Sequence, residues 1–438
     1  MADEKTPDTV PSPPPYHMET HAIHGGYENV EESTRSRMAP IYQTTSYTFR
    51  NDQHAANLFA LKEFGNIYTR LMNPTTDILE KRLALLEHGA AALGVSSGQS
   101  AETLALLMLM RSGDEFVSSS DLYGGTYTLF EHTFARFGLK ANFVKQDDPV
   151  NFEKAINPKT KAIFVEALPN PRLVVPDFQA IAEIAHKHQI PFIVDNTVPS
   201  PYLCNPIDWG ADIVIHSTTK YISGHGYAIG GAIIDSGKFP WGESSRFKEF
   251  DAPEPSYHGM NFWKTFGSLS YIIKCRVQLL RDMGPAPSPF NAWLSLVGLE
   301  TLPLRMEAHC KNAQKVAEHL QSHPKVAWVN YPSLRCCDEL QLFKKYMPKG
   351  FSGLLGFGLK SGYDGAVKLI NKVRLISHLA NIGDTRSLII HPASTTHQQL
   401  SPTEQLSAGV TPDFLRLSVG IEHVDDIIAD LDYALSFV

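Results

Sequence analysis

Short apolar runs alternate with amphipathic stretches through the first two thirds of the chain. A helical pattern opens at Thr75. Thr76 is placed to cap it, Ile78, Leu79, Leu83, Leu85 and Leu86 supply an apolar face, and Gly89 ends it. Strands are then predicted over 91–95, 115–119, 141–145, 162–167, 191–195, 212–217 and 230–234, with helices over 100–110, 126–137 and 178–187 between them. Apolar strands alternating with helices predict a mostly parallel sheet covered on both faces, in which ligands bind beyond the carboxyl ends of the strands. Residues 236–260, rich in Pro, Gly and aromatics, break the pattern and read as a surface excursion. Helical periodicity returns over 265–282. After Pro285, Pro287 and Pro289 come helices over 308–320, 365–372 and 424–437 and strands over 326–330, 354–359 and 415–419, a smaller α+β unit. The domains expected are an N-terminal arm (1–70), a large domain (71–285) and a C-terminal domain (286–438), with a Pro-rich disordered tail over 1–16.

Composition narrows the function classes. A length of 438 residues calls for more than one core, and 43% hydrophobic with 19% charged residues is ordinary for a folded soluble chain. A net charge of -7 without a dense Lys/Arg run disfavours a nucleic-acid partner. No apolar run is long enough to span a membrane, and no signal peptide is visible. Five cysteines, odd in number and scattered, fit a reduced cytoplasmic protein; adjacent Cys336 and Cys337 are expected on a loop after Pro332. Eighteen histidines raise a metal-dependent hydrolase as a contrasting class, but no H-E-x-x-H or paired Cys/His spacing accompanies them.

Four places carry candidate chemistry. The strand ending at His216 runs into Ser217, Thr218, Thr219 and Lys220, followed by Gly224, Gly226, Gly230 and Gly231. A lysine there suits condensation with an aldehyde and the hydroxyls suit a phosphate ester, although a strand-end lysine alone is commonly a surface residue. Asp195 ends a buried apolar strand, where a carboxylate needs a cationic or hydrogen-bonding partner. The protonated pyridine nitrogen of pyridoxal phosphate is one such partner, and the amides of the following turn are another. Gly98, Gln99 and Ser100 join a strand to a helix start, an anion site or a plain turn. Tyr123, ahead of Gly124 and Gly125, is placed to lie on a planar ring and serve as an acid–base group, or to fill the core.

Together these segments resemble the Cys/Met-metabolism family of pyridoxal-phosphate enzymes, and the resemblance runs from His21 almost to the end of the chain. It implies a fold type I transferase, an α/β architecture with a smaller C-terminal α+β domain. It also implies pyridoxal 5'-phosphate as cofactor, held as a Schiff base by Lys220. In this likeness Asp195 meets the pyridine nitrogen, Tyr123 stacks on the ring, and Gly98, Gln99, Ser217 and Thr219 hold the phosphate, with Thr197 nearby. Tyr68 and Arg70, in Ile67-Tyr-Thr-Arg70, resemble residues that reach the phosphate of a neighbouring subunit, implying a homo-oligomer, a tetramer built as a dimer of dimers. Arg416 matches the arginine that grips a substrate α-carboxylate, a bidentate task suited to guanidinium, assisted by Asn170, Ser387 and Tyr68.

Within that family the chain looks like O-acetylhomoserine sulfhydrylases, on Asn381-Ile-Gly-Asp384-Thr-Arg386-Ser387, on the segment from His391 to His397, and on residues 236–260. The reaction implied is γ-replacement on an O-acyl-L-homoserine: acetate leaves through a vinylglycine-type intermediate and a nucleophile adds at Cγ, sulfide giving homocysteine. Lys220 shuttles the protons and Tyr123 assists near Cγ. Carbon or amine nucleophiles with the same donor, and cystathionine or methionine γ-lyase activity, are the alternatives. Pro169, Ser223, Tyr227 and Val198-Pro199 depart from the family pattern and are expected close to the cofactor, where they would bear on the second substrate.

Overall fold

The computed structural model describes residues 16–335, 337–396, 398, 401–407 and 409–438. The Pro-rich stretch up to residue 15, Cys336 and His397 therefore lie outside the described residues.

Seven strands, β1 (Ala91–Val95), β2 (Glu115–Ser119), β3 (Lys140–Val144), β4 (Thr160–Glu166), β5 (Phe192–Asp195), β6 (Ile213–His216) and β7 (Gly231–Asp235), form one sheet in the order β1-β7-β6-β5-β4-β2-β3. From β3 through β6 every pairing is parallel, while β7 is antiparallel to both β6 and β1. The pleat divides each central strand between two cores. Phe192 and Val194 join the helices Pro74–Leu86 and Phe178–Lys187 on one face, and Ile193, Ile213 and Ile215 join the helix Gly98–Leu107 on the other. Burial on both faces is why these strands read as continuous apolar runs rather than alternating ones.

The strand predictions hold to within about a residue or two. Several other expectations change. The first helix is capped by Asn73, whose side chain accepts the Thr75 N–H, rather than by Thr76, which lies inside the helix behind Pro74. The predicted helix over 126–137 is a short α-helix Gly124–Thr128 continued by π and 3₁₀ turns. The stretch 265–282 is likewise interrupted at Gly267, whose φ is +53°. Residues 236–260 are not a surface excursion. Phe239, Trp241, Phe247, Phe250 and Tyr257 are buried in the second core, with Trp241 stacked on Tyr271 at 4.6 Å. The segment is irregular because its aromatics, not a hydrogen-bond ladder, hold it; β8 (Pro253–Glu254) and β9 (Met260–Asn261) form a two-stranded pair within it. Cys337 opens a helix, Cys337–Tyr346, instead of lying on a loop.

The C-terminal sheet comprises β10 (Val326–Asn330), β11 (Leu354–Leu359), β12 (Ser377–His378), β13 (Leu388–Ile390) and β14 (Phe414–Ser418), in the order β10-β11-β14-β13-β12. It is antiparallel except between β12 and β13. The 21-residue helix Leu302–Ser322 packs on it and reaches back to the large sheet through Arg305. Buried Arg305 donates to the carbonyls of Tyr221 (2.7 Å), Ile222 (3.2 Å) and Gly298 (2.6 Å).

Candidate active site

One cavity of about 280 Å³ lies beyond the carboxyl ends of the large sheet's parallel strands. Five strands deliver groups there. β4 ends at Glu166, β5 at Asp195, β6 passes into Ser217, Thr219 and Lys220, and β1 leads through Ser97 into the helix Gly98–Leu107. Tyr123 enters from the turn after β2. The opposite wall comes from the C-terminal unit: Ala380, Asn381, Ile382, Thr396 and Arg416 on β14.

Lys220 is set between the two walls. Its Nζ donates to Asn381 Oδ1 at 2.6 Å, and burial together with the Arg416 cation lowers its pKa to about 8. Arg416 is itself buried; it donates from Nη2 to the Asn381 carbonyl at 3.1 Å, and desolvation lowers its pKa to about 10. Asp195 is 8% exposed, and burial raises its carboxyl above the usual range against the Thr197 hydrogen bonds that lower it. Thr197 links two strand ends: its N–H donates to Asp195 Oδ1 (2.8 Å), and its hydroxyl oxygen accepts the Ser217 N–H (2.8 Å).

The groups present fit pyridoxal phosphate. A Cβ at residue 98 would stand 2.7 Å from the Ser217 Cβ, so only glycine lets the helix start close on the Ser217 turn. That brings the first amides of a ten-residue helix together with the Ser217 and Thr219 hydroxyls, the donor set of an anion cradle. An amine of lowered pKa and a buried carboxylate line the same cavity, matching the aldehyde and the pyridine nitrogen. At residue 125 a Cβ would stand 2.4 Å from the Tyr123 ring, so Gly125 makes room for that ring beside the cavity.

Of the residues expected from the sequence, Lys220, Asp195, Tyr123, Gly98, Gln99, Ser217, Thr219, Thr197, Asn170 and Arg416 line this cavity. Three do not. Tyr68 is 40% exposed, and Arg70 donates to the Arg281 carbonyl at 2.6 Å; within one chain neither reaches the cavity. Ser387 is buried elsewhere, its hydroxyl bound to Glu422 (3.0 Å) and the Gly420 N–H (2.9 Å). Among the departures from the family pattern, Val198 lines the cavity but Pro169, Ser223 and Tyr227 do not; Tyr227 stacks on His225 and donates to the Leu294 carbonyl. Sequence reasoning missed Glu102, Glu166, Thr126 and Asn381. A glutamate at the end of an apolar strand, Glu166, carries the same signal that singled out Asp195, and Glu102 interrupts a buried helix face. Among the described residues no group of three His, Cys, Asp or Glu side chains is placed to hold a metal ion.

An O-acetyl-L-homoserine sulfhydrylase of Leptospira meyeri is 57% identical to this chain over 426 residues, covering 95% of it and 96% of the relative. A homocysteine synthase of Schizosaccharomyces pombe is 53% identical, covering 96% of this chain and 98% of the relative. A Campylobacter jejuni crystal structure described as an O-acetylhomoserine (thiol)-lyase, which carries N'-pyridoxyl-lysine-5'-monophosphate, superposes with a TM-score of 0.93 at 47% identity. It covers 96% of this chain and 100% of its own. The profile of the family described as Cys/Met metabolism PLP-dependent enzyme matches residues 19–436, and with a lysine, an aspartate and an anion cradle around one cavity the chain belongs to that family.

Proposed function

We propose that this protein catalyses γ-replacement on O-acetyl-L-homoserine, releasing acetate and adding sulfide at Cγ to give homocysteine. One observation carries the reading: a buried amine of lowered pKa, Lys220, faces a buried guanidinium, Arg416, across a single cavity. Relatives named for this reaction support the choice of donor and nucleophile. When bound, pyridoxal phosphate supplies an electron sink that makes the substrate α-proton removable.

The chain's own residues do the rest. The Gly98 and Gln99 amides, Ser217 and Thr219 bind the phosphate, and Asp195, oriented by Thr197, binds the ring nitrogen. Arg416 grips the α-carboxylate in a bidentate pair, and Asn170 assists. This fixes the amino acid with its Cα toward Lys220. The Lys220 amine then takes a proton from Cα, gives it up to the carbon of the cofactor's former aldehyde group, and so is free to take another from Cβ, so that acetate can leave from Cγ. Tyr123 holds a proton near Cγ. Ser387 supports the Arg416 strand through Glu422 and Gly420 rather than by contact. Tyr68 and Arg70 complete the phosphate site of a second copy in a homotetramer, a dimer of dimers. Among the described residues no helix is long and apolar enough to cross a membrane; the unpaired Cys204, Cys275 and Cys310 support a cytoplasmic setting.

The test is an acetate-release assay with O-acetyl-L-homoserine and either sulfide or a β-keto acid. Sulfide-dependent acetate and homocysteine are expected, and both are lost in Lys220→Ala together with the visible band of the bound cofactor. Acetate release only with the carbon nucleophile rejects the sulfide reading.

A further inference from the structure

A second cavity, of about 150 Å³, lies between residues 23–39 and the helices Pro74–Leu86 and Pro289–Glu300. Arg82 and Glu300 are among its walls, and Ile23, Met38, Trp293 and Leu296 supply apolar surface. The reaction described above uses none of these residues. Arg82 is 3% exposed. Its Nε donates to the Gly25 carbonyl at 2.8 Å, but neither terminal nitrogen makes a hydrogen bond among the described residues. Glu300 Oε1 stands 3.8 Å from Nη1, too far for a hydrogen bond. A guanidinium buried with unused donors is costly to the fold, and a ligand that takes up those donors offsets the cost.

The walls select the ligand's chemistry. The planar fork of Arg82 suits a carboxylate, which it can hold through two parallel bonds. A bare carboxylate there would sit against the like charge of Glu300. An ammonium on the neighbouring carbon turns that repulsion into an ion pair. A cavity of about 150 Å³ holds a body about the size of benzene, so the rest of the ligand is a short apolar side chain resting on Trp293 and Leu296. Arg37, exposed at the rim, has its Nη2 3.3 Å from His24 Nδ1.

We propose that this cavity is a second binding site, for an α-amino acid with a short apolar side chain, its carboxylate on Arg82 and its ammonium on Glu300. The occupant rests on a helix that also serves the catalytic cavity. Trp293, Leu296 and Glu300 form one stripe of the helix Pro289–Glu300, at spacings of three and four residues. Asn291, Leu294 and Gly298 form another, two residues back and so about 200° away around the axis. This second stripe holds the chain that follows Lys220. Asn291 donates to the Ile229 carbonyl (3.0 Å), the Leu294 carbonyl accepts the Tyr227 hydroxyl (3.3 Å), and a Cβ at residue 298 would stand 2.3 Å from the Ile222 carbonyl oxygen. Ile229 lines the catalytic cavity. The two sites thus bear on opposite faces of one helix.

The test is calorimetry on the holoenzyme with L-valine, and with isovalerate and isobutylamine, which lack its ammonium and its carboxylate respectively. Wild type is expected to bind L-valine with a dissociation constant of about a millimolar or tighter, about fivefold or more below that of either fragment, with no shift in the visible band of the bound cofactor. Arg82→Met is expected to weaken L-valine by about tenfold or more. That change also removes the bond to Gly25, so Ala39→Leu, which fills the cavity and leaves Arg82 in place, is the second variant; the same loss is expected. Glu300→Gln is expected to erase the preference for L-valine over isovalerate. Absence of L-valine binding in wild type, an affinity no better than that for isovalerate, or binding that survives both Arg82→Met and Ala39→Leu overturns the proposal. In the last case a shifted cofactor band would place the amino acid on Arg416 instead.

Discussion

Lys220 has an amine held to about 8 chiefly by desolvation, with Arg416 adding to the effect. Condensation with an aldehyde needs the neutral amine. Lowering the pKa from 10.5 to about 8 therefore enlarges the reactive fraction at neutral pH by roughly two orders of magnitude. The sign is fixed: a group with a depressed pKa loses its proton as pH rises through that value. The rate at which the cofactor-free chain captures pyridoxal phosphate is expected to climb with pH and level off above about 8. Stopped-flow absorbance across pH 6–11 measures it, and a plateau reached only above about pH 10, the range of a solvated lysine, counts against the assignment. At this scale Lys220 was legible in the sequence through the hydroxyls and glycines that flank it, and Asp195 because it ends a buried apolar strand where a carboxylate needs a partner. Glu102 was not, because one acidic residue in a helix reads as a solvated face until neighbouring elements close over it.

The elements that present these residues are held by contacts distant in sequence. The turn after Lys220 is fastened by Arg305, which sits on the helix Leu302–Ser322 and donates to three main-chain carbonyls. Burial lowers its own pKa to about 10, so the guanidinium keeps its charge at neutral pH and holds those carbonyls through charge-assisted bonds. Arg305→Met keeps most of the volume but leaves the carbonyls of Tyr221, Ile222 and Gly298 without their donor. It is expected to destabilise the fold by about 2–4 kcal/mol, read as a lowered urea midpoint. An unchanged midpoint would show that the turn holds itself. Strands were the most legible elements, since four-to-seven-residue apolar runs such as β5 and β6 have no competing reading beside glycines and turn residues. The aromatic segment after β7 was misread because Pro and Gly mark irregular backbone whether or not the side chains are buried. The tilted and stacked rings around Trp241 bury this one.

At the scale of the whole molecule, Tyr68 and Arg70 stand outside the cavity of their own chain, in keeping with a site completed by a second copy. Mixing two inactive variants tests this. Lys220→Ala and Arg70→Ala chains, unfolded together and refolded in equal amounts, are expected to recover about a quarter of wild-type activity, because each mixed pair contains one site with both residues intact. No recovery would mean that each chain works with its own Arg70. Here the sequence was legible only through likeness to a family, since periodicity carries no signal for which copy a side chain serves. The cavity also has an order in time. Lys220 and its partner Asn381 are 161 residues apart, and every cofactor-facing group precedes the C-terminal wall in the chain. As the protein emerges from the ribosome, the sheet carrying Asp195 and Lys220 is made first. A nascent chain thus holds Lys220 before Arg416 exists either to lower the amine's pKa or to select what approaches it. A chain halted between the two sheets is left with the lysine but with neither the full lowering of its pKa nor the selectivity.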